Sequence, residues 1–262
     1  MPPTAPGVTE PRAGRLEERQ VRAMFDRIAG VYDRMNAVMS AGLDRRWRAR
    51  AADLATLRPG DRALDVATGT GDLALELAGR VGREGEVVGC DFSEEMLARA
   101  RDKAAAAPAP VRFEWANALS LPYDSNSFAA ATVGFGARNF ADLGRGIAEM
   151  ARVVRPGGRV VVLEITTPQR PPLAWFYALW FDRAVPALGR LAGAIVAAGG
   201  RTGDAGSAAT IEDAYSYLPS SVKRFPGPPE LARTMAGCGL VDIRWIVTAG
   251  GIIALHAGTV AA

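Results

Sequence analysis

An apolar run that ends in an acid and passes through two glycines constrains this chain more than any other stretch. Residues Leu64–Ala74 read LDVATGTGDLA. Glycine adopts positive φ angles that other residues avoid, and a backbone without a side chain can approach a ligand closely. The pattern predicts a strand, a tight turn at Gly69 and Gly71, and a helix N-terminus facing a bound nucleoside. A purely structural glycine turn is the alternative.

Two nucleoside ligands fit this turn. Gly69-x-Gly71-x-x-Ala74, with Asp91 about 20 residues further on, satisfies the loose dinucleotide fingerprint of nicotinamide enzymes. The same arrangement suits S-adenosylmethionine (SAM), with Asp91 at the ribose. Asp65 favours SAM, because a carboxylate there attracts the cationic amino-acid end of SAM and would repel a pyrophosphate.

Composition limits the classes of protein to consider. A chain of 262 residues, 49% hydrophobic and 23% charged, is long enough for one well-cored domain and short for two. The net charge of +3 rests almost entirely on arginine, which indicates solvated basic faces and no nucleic-acid partner. Cys90 and Cys238 have no metal-ligand or disulfide spacing, so we expect a reducing compartment and no metal.

Strands alternate with helices through the middle of the chain. Further strands are predicted at Glu86–Asp91, Val111–Trp115, Ala129–Val133 and Arg159–Ile165, the last after a turn at Arg155–Gly158. Helices are predicted between them, one of them with Ser93 as its N-cap and another over Leu143–Val153. This rhythm predicts a parallel, doubly wound sheet whose ligands lie at the carboxyl ends of the strands.

The C-terminus departs from that rhythm. Helix Pro229–Gly237 precedes strands Leu240–Val247 and Ile252–Ala257, which only the turn Ala249–Gly251 separates. So short a turn requires an antiparallel pair, because a parallel crossover needs a dozen residues or more. A parallel sheet that ends in such a hairpin is typical of Rossmann-like SAM-dependent methyltransferases.

Two regions outside the sheet are candidates for contacts with apolar or membrane partners. Amphipathic helices are predicted before the first strand. They are followed by a basic stretch that contains Trp47, Leu43–Arg50, which we interpret as a solvated face or as a contact with an anionic membrane. The aromatic-rich segment Leu173–Gly200 is interrupted by charges and does not span a bilayer. It suits a prenyl-chain cleft, a shallow membrane contact, or a lid or homodimer interface.

Several motifs, in order along Val21–Gly258, resemble the ubiquinone and menaquinone biosynthesis C-methyltransferases of the UbiE/MenG type. The matching stretches include both signatures of that family, the glycine turn and the loop after the fourth strand. They are Tyr32–Ser40 with Trp47, Arg152–Val160 running on to Glu164, Gly69–Asp72, Phe135–Asn139, Tyr215–Val222, Thr248–Gly251 and Ala254–His256. The resemblance implies a class I fold with a seven-stranded sheet and an N-terminal helical cap.

The chain also departs from that family. Many relatives have histidine in place of Asp44, aspartate in place of Ala129, and serine in place of Gly134 and Thr166. Glycine at position 134 removes one possible side-chain contact to SAM, but the backbone of Gly134 remains available for a contact. The run 197–210 resembles an insertion, which we expect to be flexible and to take no part in the chemistry.

The resemblance implies methyl transfer from SAM to a ring carbon of a polyprenylated quinol, with menaquinone favoured over ubiquinone. It also implies that Arg138 takes part in ring deprotonation. Because an arginine pKa above 12 makes a poor base, we expect Arg138 to stabilise a phenolate while the proton leaves through water. A salt-bridged arginine is the alternative, and the sole histidine, His256, is expected to be structural.

The resemblance also implies the contacts of both ligands. It places Asp65 and the Gly69-Thr70-Gly71 turn at the methionine end of SAM. The remaining predicted contacts are Asp91 to the ribose, Asn117 and Ala118 to the adenine, Gly134 to SAM, and Tyr32, Asp33, Asn139, Asp213 and Tyr217 to the quinol. The alternatives are a strand-end cap for Asp91 and a place in the apolar core for Tyr32.

The predicted organisation is a disordered lead over 1–15 and one methyltransferase domain over 16–262. Within that domain, 16–58 forms the helical cap and 168–222 a substrate-side lid. We expect a cytoplasmic protein that contacts the membrane transiently. The alternatives in function are a nicotinamide oxidoreductase and a methyltransferase acting on RNA or another small molecule.

Overall fold

The computed structural model describes residues 18–105, 107–168, 171 and 217–262. Several predictions lie outside the described residues. They are the disordered lead over 1–15, most of the lid, the aromatic segment, the insertion over 197–210, and Asp213.

The described residues contain a mixed sheet of seven strands in the order β3-β2-β1-β4-β5-β7-β6. Strands β1 to β5 run parallel, and β7 pairs antiparallel with both β5 and β6. The predicted fold class, including the C-terminal hairpin, is confirmed. The strands are β1 (Arg62–Val66), β2 (Glu86–Asp91), β3 (Val111–Trp115), β4 (Phe128–Gly134), β5 (Val154–Ile165), β6 (Leu240–Thr248) and β7 (Ile253–Val260).

Helices cover both faces of the sheet. They are α1 (Glu18–Ser40), α2 (Asp44–Leu54), α3 (Asp72–Val81), α4 (Glu94–Ala104), α5 (Leu143–Val153) and α6 (Pro228–Gly237), and residues 217–224 are also helical. One buried cluster joins α2, α3 and α4 to the sheet, and another joins α5 and α6 to its opposite face. The inner strands are apolar on both sides because both sides are buried.

Local capping sets where the helices begin. The Ser93 hydroxyl accepts a hydrogen bond from the Met96 amide at 3.2 Å at the start of α4, as predicted. Asp142 caps α5 by accepting from the Arg145 amide at 2.9 Å. Each cap satisfies one of the backbone donors that a helix N-terminus leaves without an intrahelical partner.

The prediction of a separate turn over Arg155–Gly158 was wrong. Strand β5 begins at Val154 and runs through this Pro-Gly-Gly stretch, with a shift of register against β4 between Phe128 and Ala130. Gly157 takes a φ of +77°, which a side chain would oppose. The register moves from the pair Phe128–Val154 to the pair Ala130–Arg159, so Arg155–Gly158 form an irregularity within β5.

Helix α1 lies over α4 and the helical segment 217–224. Met24 and Ile28 of α1 share a buried cluster with Met96 and Val222. Among the described residues, no helix combines the length and apolar character needed to span a bilayer.

Candidate active site

A cavity opens at the carboxyl ends of β1, β2 and β4, and α1 and α2 cover it. This cofactor cavity brings together most of the predicted cofactor-binding residues, which come from four separate segments. Those that line it are Asp65, Gly69, Thr70, Asp91, Asn117, Ala118 and Gly134. The backbone topology that was predicted from the sequence therefore places distant residues around one space.

Gly71 does not line the cavity, so of the two expected reasons for glycine here, a positive φ holds and a close approach to a ligand is not seen. It precedes α3 with a φ of +85°, and a Cβ there would lie 2.7 Å from Cζ of Phe113. Gly71 is thus required by its backbone conformation and by packing against the sheet. Gly69, with a φ of +55°, lines the cavity and has open space where a Cβ would point.

Gly134 lies at the end of β4, where many members of the resembling family have serine. A Cβ at this position would lie 3.0 Å from Cδ2 of Leu73. A serine at this position would therefore require the Leu73 side chain to shift by a few tenths of an ångström.

Asp65 is a buried carboxylate at the end of β1. It accepts hydrogen bonds from the hydroxyls of Thr68 at 2.6 Å and Thr132 at 2.7 Å. Burial raises the pKa of Asp65 to about 6, although both hydroxyls oppose that rise. A cation brought into the cavity would favour the ionised form.

Asp91 ends β2 and holds the glycine turn in place. Its carboxylate accepts from the amides of Gly69 at 2.8 Å and Ser93 at 2.9 Å. Burial raises the pKa of Asp91 to about 6 as well. A carboxylate has about four acceptor sites, so Asp91 retains capacity for ribose hydroxyls.

Asp33 ties α1 across the glycine turn and does not line either cavity. The Thr70 hydroxyl donates to Asp33 at 2.5 Å, and Lys103 of α4 lies 2.6 Å from the same carboxylate. Lys103 also pairs with Asp72 at 2.7 Å. Through these contacts, Asp33 holds α1 against the glycine turn and α4, beside the cofactor cavity.

A second, apolar cavity of about 440 Å³ adjoins the cofactor cavity. Its apolar walls come from α1, α2, β5, the helical segment 217–224 and the hairpin. They include Met24, Ile28, Met39, Leu43, Trp47, Ile165, Leu218, Ile252 and Ile253. Of the predicted quinol contacts, Tyr32, Asn139 and Tyr217 line this apolar cavity.

The two cavities meet at a neck, defined here as the five residues that line both. They are Phe25, Tyr32, Arg48, Phe135 and Asn139. Tyr217 donates a long hydrogen bond to Asn139 at 3.4 Å.

Arg138 lines the apolar cavity beside the neck and forms a buried ion pair with Glu164. Its Nη1 lies 2.7 Å from Glu164 Oε1, and Nη1 also donates to the Phe135 carbonyl. Burial acts to lower the pKa of Arg138, but the ion pair and hydrogen bond with Glu164, together with the nearby Tyr32 and Tyr217, raise it by more, so the net shift is upward. Arg138 therefore stays protonated. In the described part of the chain, its buried Nε has no partner.

The sequence reasoning missed Arg48, which it placed on a solvated basic face. The Arg48 side chain is only 10% exposed and forms ion pairs with Asp44 and, at 3.4 Å, with Asp72. The neighbouring arginines Arg45, Arg46 and Arg50 are exposed, so the interpretation as a solvated basic face holds for them. The i,i+4 spacing of Asp44 and Arg48 beside Trp47 was the signal available.

Glu164, Thr132 and Lys103 were also missed as functional residues, because each acts through a contact distant in sequence. His256 lies in β7, stacks on Trp245, and has a pKa that burial lowers. It lines neither cavity, which agrees with the structural role expected. Among the described residues, no group of three or more His, Cys, Asp or Glu side chains could hold a metal ion.

Solved structures share this fold at low sequence identity. A SAM-dependent methyltransferase from Aquifex aeolicus aligns with a TM-score of 0.53 and 15% identity, over 94% of this chain and 100% of that one. The [4+2]-cyclase SpnF aligns with a TM-score of 0.64 and 18% identity, over 94% and 97%. A cyclase on this architecture shows that the fold alone does not determine the reaction.

Sequence relatives are more specific. The demethylmenaquinone methyltransferase of Thermus thermophilus is 44% identical over 90% of this chain and 99% of its own. That of Desulfitobacterium hafniense is 40% identical over 94% and 92%. The ubiquinone/menaquinone biosynthesis C-methyltransferase UbiE of Geobacter sulfurreducens is 38% identical over 93% and 90%. A family model matches residues 14–260, and the chain belongs to the family that it describes, the ubiE/COQ5 methyltransferase family.

Proposed function

We propose that this protein transfers the methyl group of SAM to a ring carbon of a polyprenylated quinol, converting demethylmenaquinol to menaquinol. The observation that carries the proposal is the pair of adjoining cavities, one lined by three carboxylates and one largely apolar, with Arg138 beside the neck where they meet. The names of the relatives support the substrate class, and the apolar cavity has a volume typical of small-molecule sites.

The residues of the cofactor cavity fit SAM. Asp65 would favour its cationic end, Asp91 its ribose hydroxyls, and Asn117 with Ala118 its adenine. When bound, SAM supplies a sulfonium methyl group that needs no metal for activation. The glycine turn and α1 then serve to orient that end toward the neck and to exclude water from it.

Arg138 would stabilise the negative charge that develops on the quinol oxygen next to the reacting carbon. Its unpartnered Nε–H is a donor already buried in the site. The quinol hydroxyl would lose its proton, and the new carbon–carbon bond would form as the sulfur–methyl bond breaks. Loss of the ring C–H proton then restores the aromatic ring and the oxygen takes up a proton again, so that one proton is released for each methyl group transferred. Because Arg138 stays protonated, water carries that proton away.

Incubation of the purified protein with methyl-labelled SAM and demethylmenaquinol in detergent micelles tests the proposal. We expect labelled menaquinol with the wild type and a loss of rate with Arg138→Ala. Protein that binds SAM but methylates neither demethylmenaquinol nor a demethylated benzoquinol would overturn it. A thermal shift with NAD and none with SAM would favour the oxidoreductase alternative.

We further propose that the protein acts at the cytoplasmic membrane surface, where a polyprenylated substrate resides, and that it forms a homodimer. Exposed Arg45, Arg46 and Arg50 of α2 offer a basic face for anionic lipid headgroups. Co-sedimentation with anionic but not neutral vesicles supports the first statement. Light scattering that shows a monomer at all concentrations would refute the second.

A further inference from the structure

Arg48 has a position that the proposed reaction does not yet use. Its guanidinium lies in the neck, nine-tenths buried, between Asp44 and Asp72. It also lies over the Phe135 ring, 6.0 Å from the centroid. Keeping a charge in such a site costs free energy, even with two carboxylates nearby. That cost calls for a role beyond packing.

The charges that line the cofactor cavity are unequal. Of the described residues that line it, three are acidic, Asp65, Asp72 and Asp91, and Arg48 is the only cation. Asp72 begins α3 directly after the glycine turn. Arg48 therefore lies beside the end of the cavity where the turn and the N-terminus of α3 converge.

Lys103 and Arg138, two other basic side chains near the cofactor cavity, pair with acidic side chains and do not line that cavity. Lys103 contacts Asp33, Asp72 and the Thr70 hydroxyl and does not line the cofactor cavity. Arg138 pairs with Glu164 and lines only the apolar cavity. An anionic group in the cofactor cavity would thus meet Arg48 first among the described basic side chains.

We propose that Arg48 binds the α-carboxylate of the methionine end of SAM, an inference that rests on the proposed function. SAM carries two positive groups and one carboxylate at that end, and the cavity offers acids for the former and one guanidinium for the latter. Asp72, at 3.4 Å, is the more distant carboxylate partner of Arg48 and is also held by Lys103, so it can share the guanidinium with the incoming carboxylate. A planar guanidinium suits such a contact.

Calorimetric binding of SAM and of decarboxylated SAM tests this pairing directly, since the two ligands differ in the carboxylate alone. The wild type should bind SAM about tenfold to a hundredfold more tightly, the range expected for a charge-assisted hydrogen bond. Arg48→Met keeps much of the side-chain volume and should reduce that ratio to about one. Arg45→Met, on the exposed face of α2, is the matched control and should leave the ratio unchanged.

The outcomes separate the two proposals. A wild type that binds neither ligand contradicts the proposed function itself. If the wild type binds SAM and decarboxylated SAM equally, or if Arg48→Met weakens the binding of both ligands by the same factor, the proposed role of Arg48 is refuted. The proposed function is not affected by either result. If Arg48→Met fails to fold, Arg48→Lys takes its place, since it retains the charge but loses the planar guanidinium. Its ratio of SAM affinity to decarboxylated SAM affinity must be lower than that of the wild type for the proposal to stand.

Discussion

Replacing Asp65 with asparagine isolates the free-energy cost of a buried carboxylate in the cofactor cavity. The pKa of Asp65 is raised from 3.8 to about 6, so the folded protein binds this proton more tightly than the unfolded chain does. The stability that the proton provides is complete below pH 3.8 and is lost as the pH rises through about 6. Above that pH, the ionised carboxylate costs about 3 kcal/mol, at 1.36 kcal/mol per pKa unit.

The variant should lack this pH dependence. Asparagine keeps a polar group between Thr68 and Thr132, whose hydroxyls can both donate and accept. From about pH 5 to about pH 8, the wild type should lose roughly 1.4 kcal/mol of unfolding free energy relative to Asp65→Asn. Asp91 has a similarly raised pKa and is present in both proteins, so only its repulsion of Asp65, the smallest of the causes of the Asp65 shift, differs between them.

Urea denaturation of the ligand-free protein across this pH range measures the difference. Parallel curves for the two proteins would refute the reasoning, because they would mean that Asp65 ionises in the folded state as it does in the unfolded chain. The complementary readout is SAM affinity. In the wild type it should rise with pH through about 6, as Asp65 ionises to face a cation, and the Asp65→Asn variant should lose at least part of that rise.

Three further substitutions test other parts of the site. Gly71→Ala should destabilise the fold by about 1–3 kcal/mol in urea denaturation, because it forces a side chain into a positive φ and against Phe113. Glu164→Gln removes the counter-charge of Arg138. It should lower kcat with little change in SAM affinity, and equal activity would contradict the positioning role. Asp33→Asn should speed hydrogen exchange in α1, and unchanged exchange would show that its contacts do not hold the cap.

Much of the fold could be predicted from local patterns. Strand β3 and helix α5 begin and end where the sequence places them, because each is bounded by strong local signals. The start of β5 was mistaken, since Pro-Gly-Gly reads as a turn until its pairing with β4 is known. Local signals define elements well, but a bulge depends on the partner strand.

The site was predictable where chain topology determines it and not where side-chain direction does. Asp65 and Asp91 lie at the carboxyl ends of neighbouring parallel strands, so their meeting at one edge of the sheet follows from the fold. The spacing of Asp44 and Arg48 alone does not separate Arg48 from Arg45 and Arg46, because which face of α2 turns inward depends on its packing against α3. The Thr132 hydroxyl on Asp65 likewise comes from β4, 67 residues away.

Arg48 and Arg138 are both buried in the site but have different counter-ions. Arg48 pairs with Asp44 and Asp72, whereas Arg138 pairs with Glu164. Glu164 is 1% exposed and already neutralises Arg138, so the pair as a whole brings no net charge to the apolar cavity. Stabilisation of a phenolate must therefore come from N–H donors held in a fixed direction in a dry site. Because Glu164 also accepts from the amides of Arg138 and Ile165, it holds the loop and the guanidinium together. In the proposed reaction, the pair would therefore contribute the geometry of the donor more than its charge.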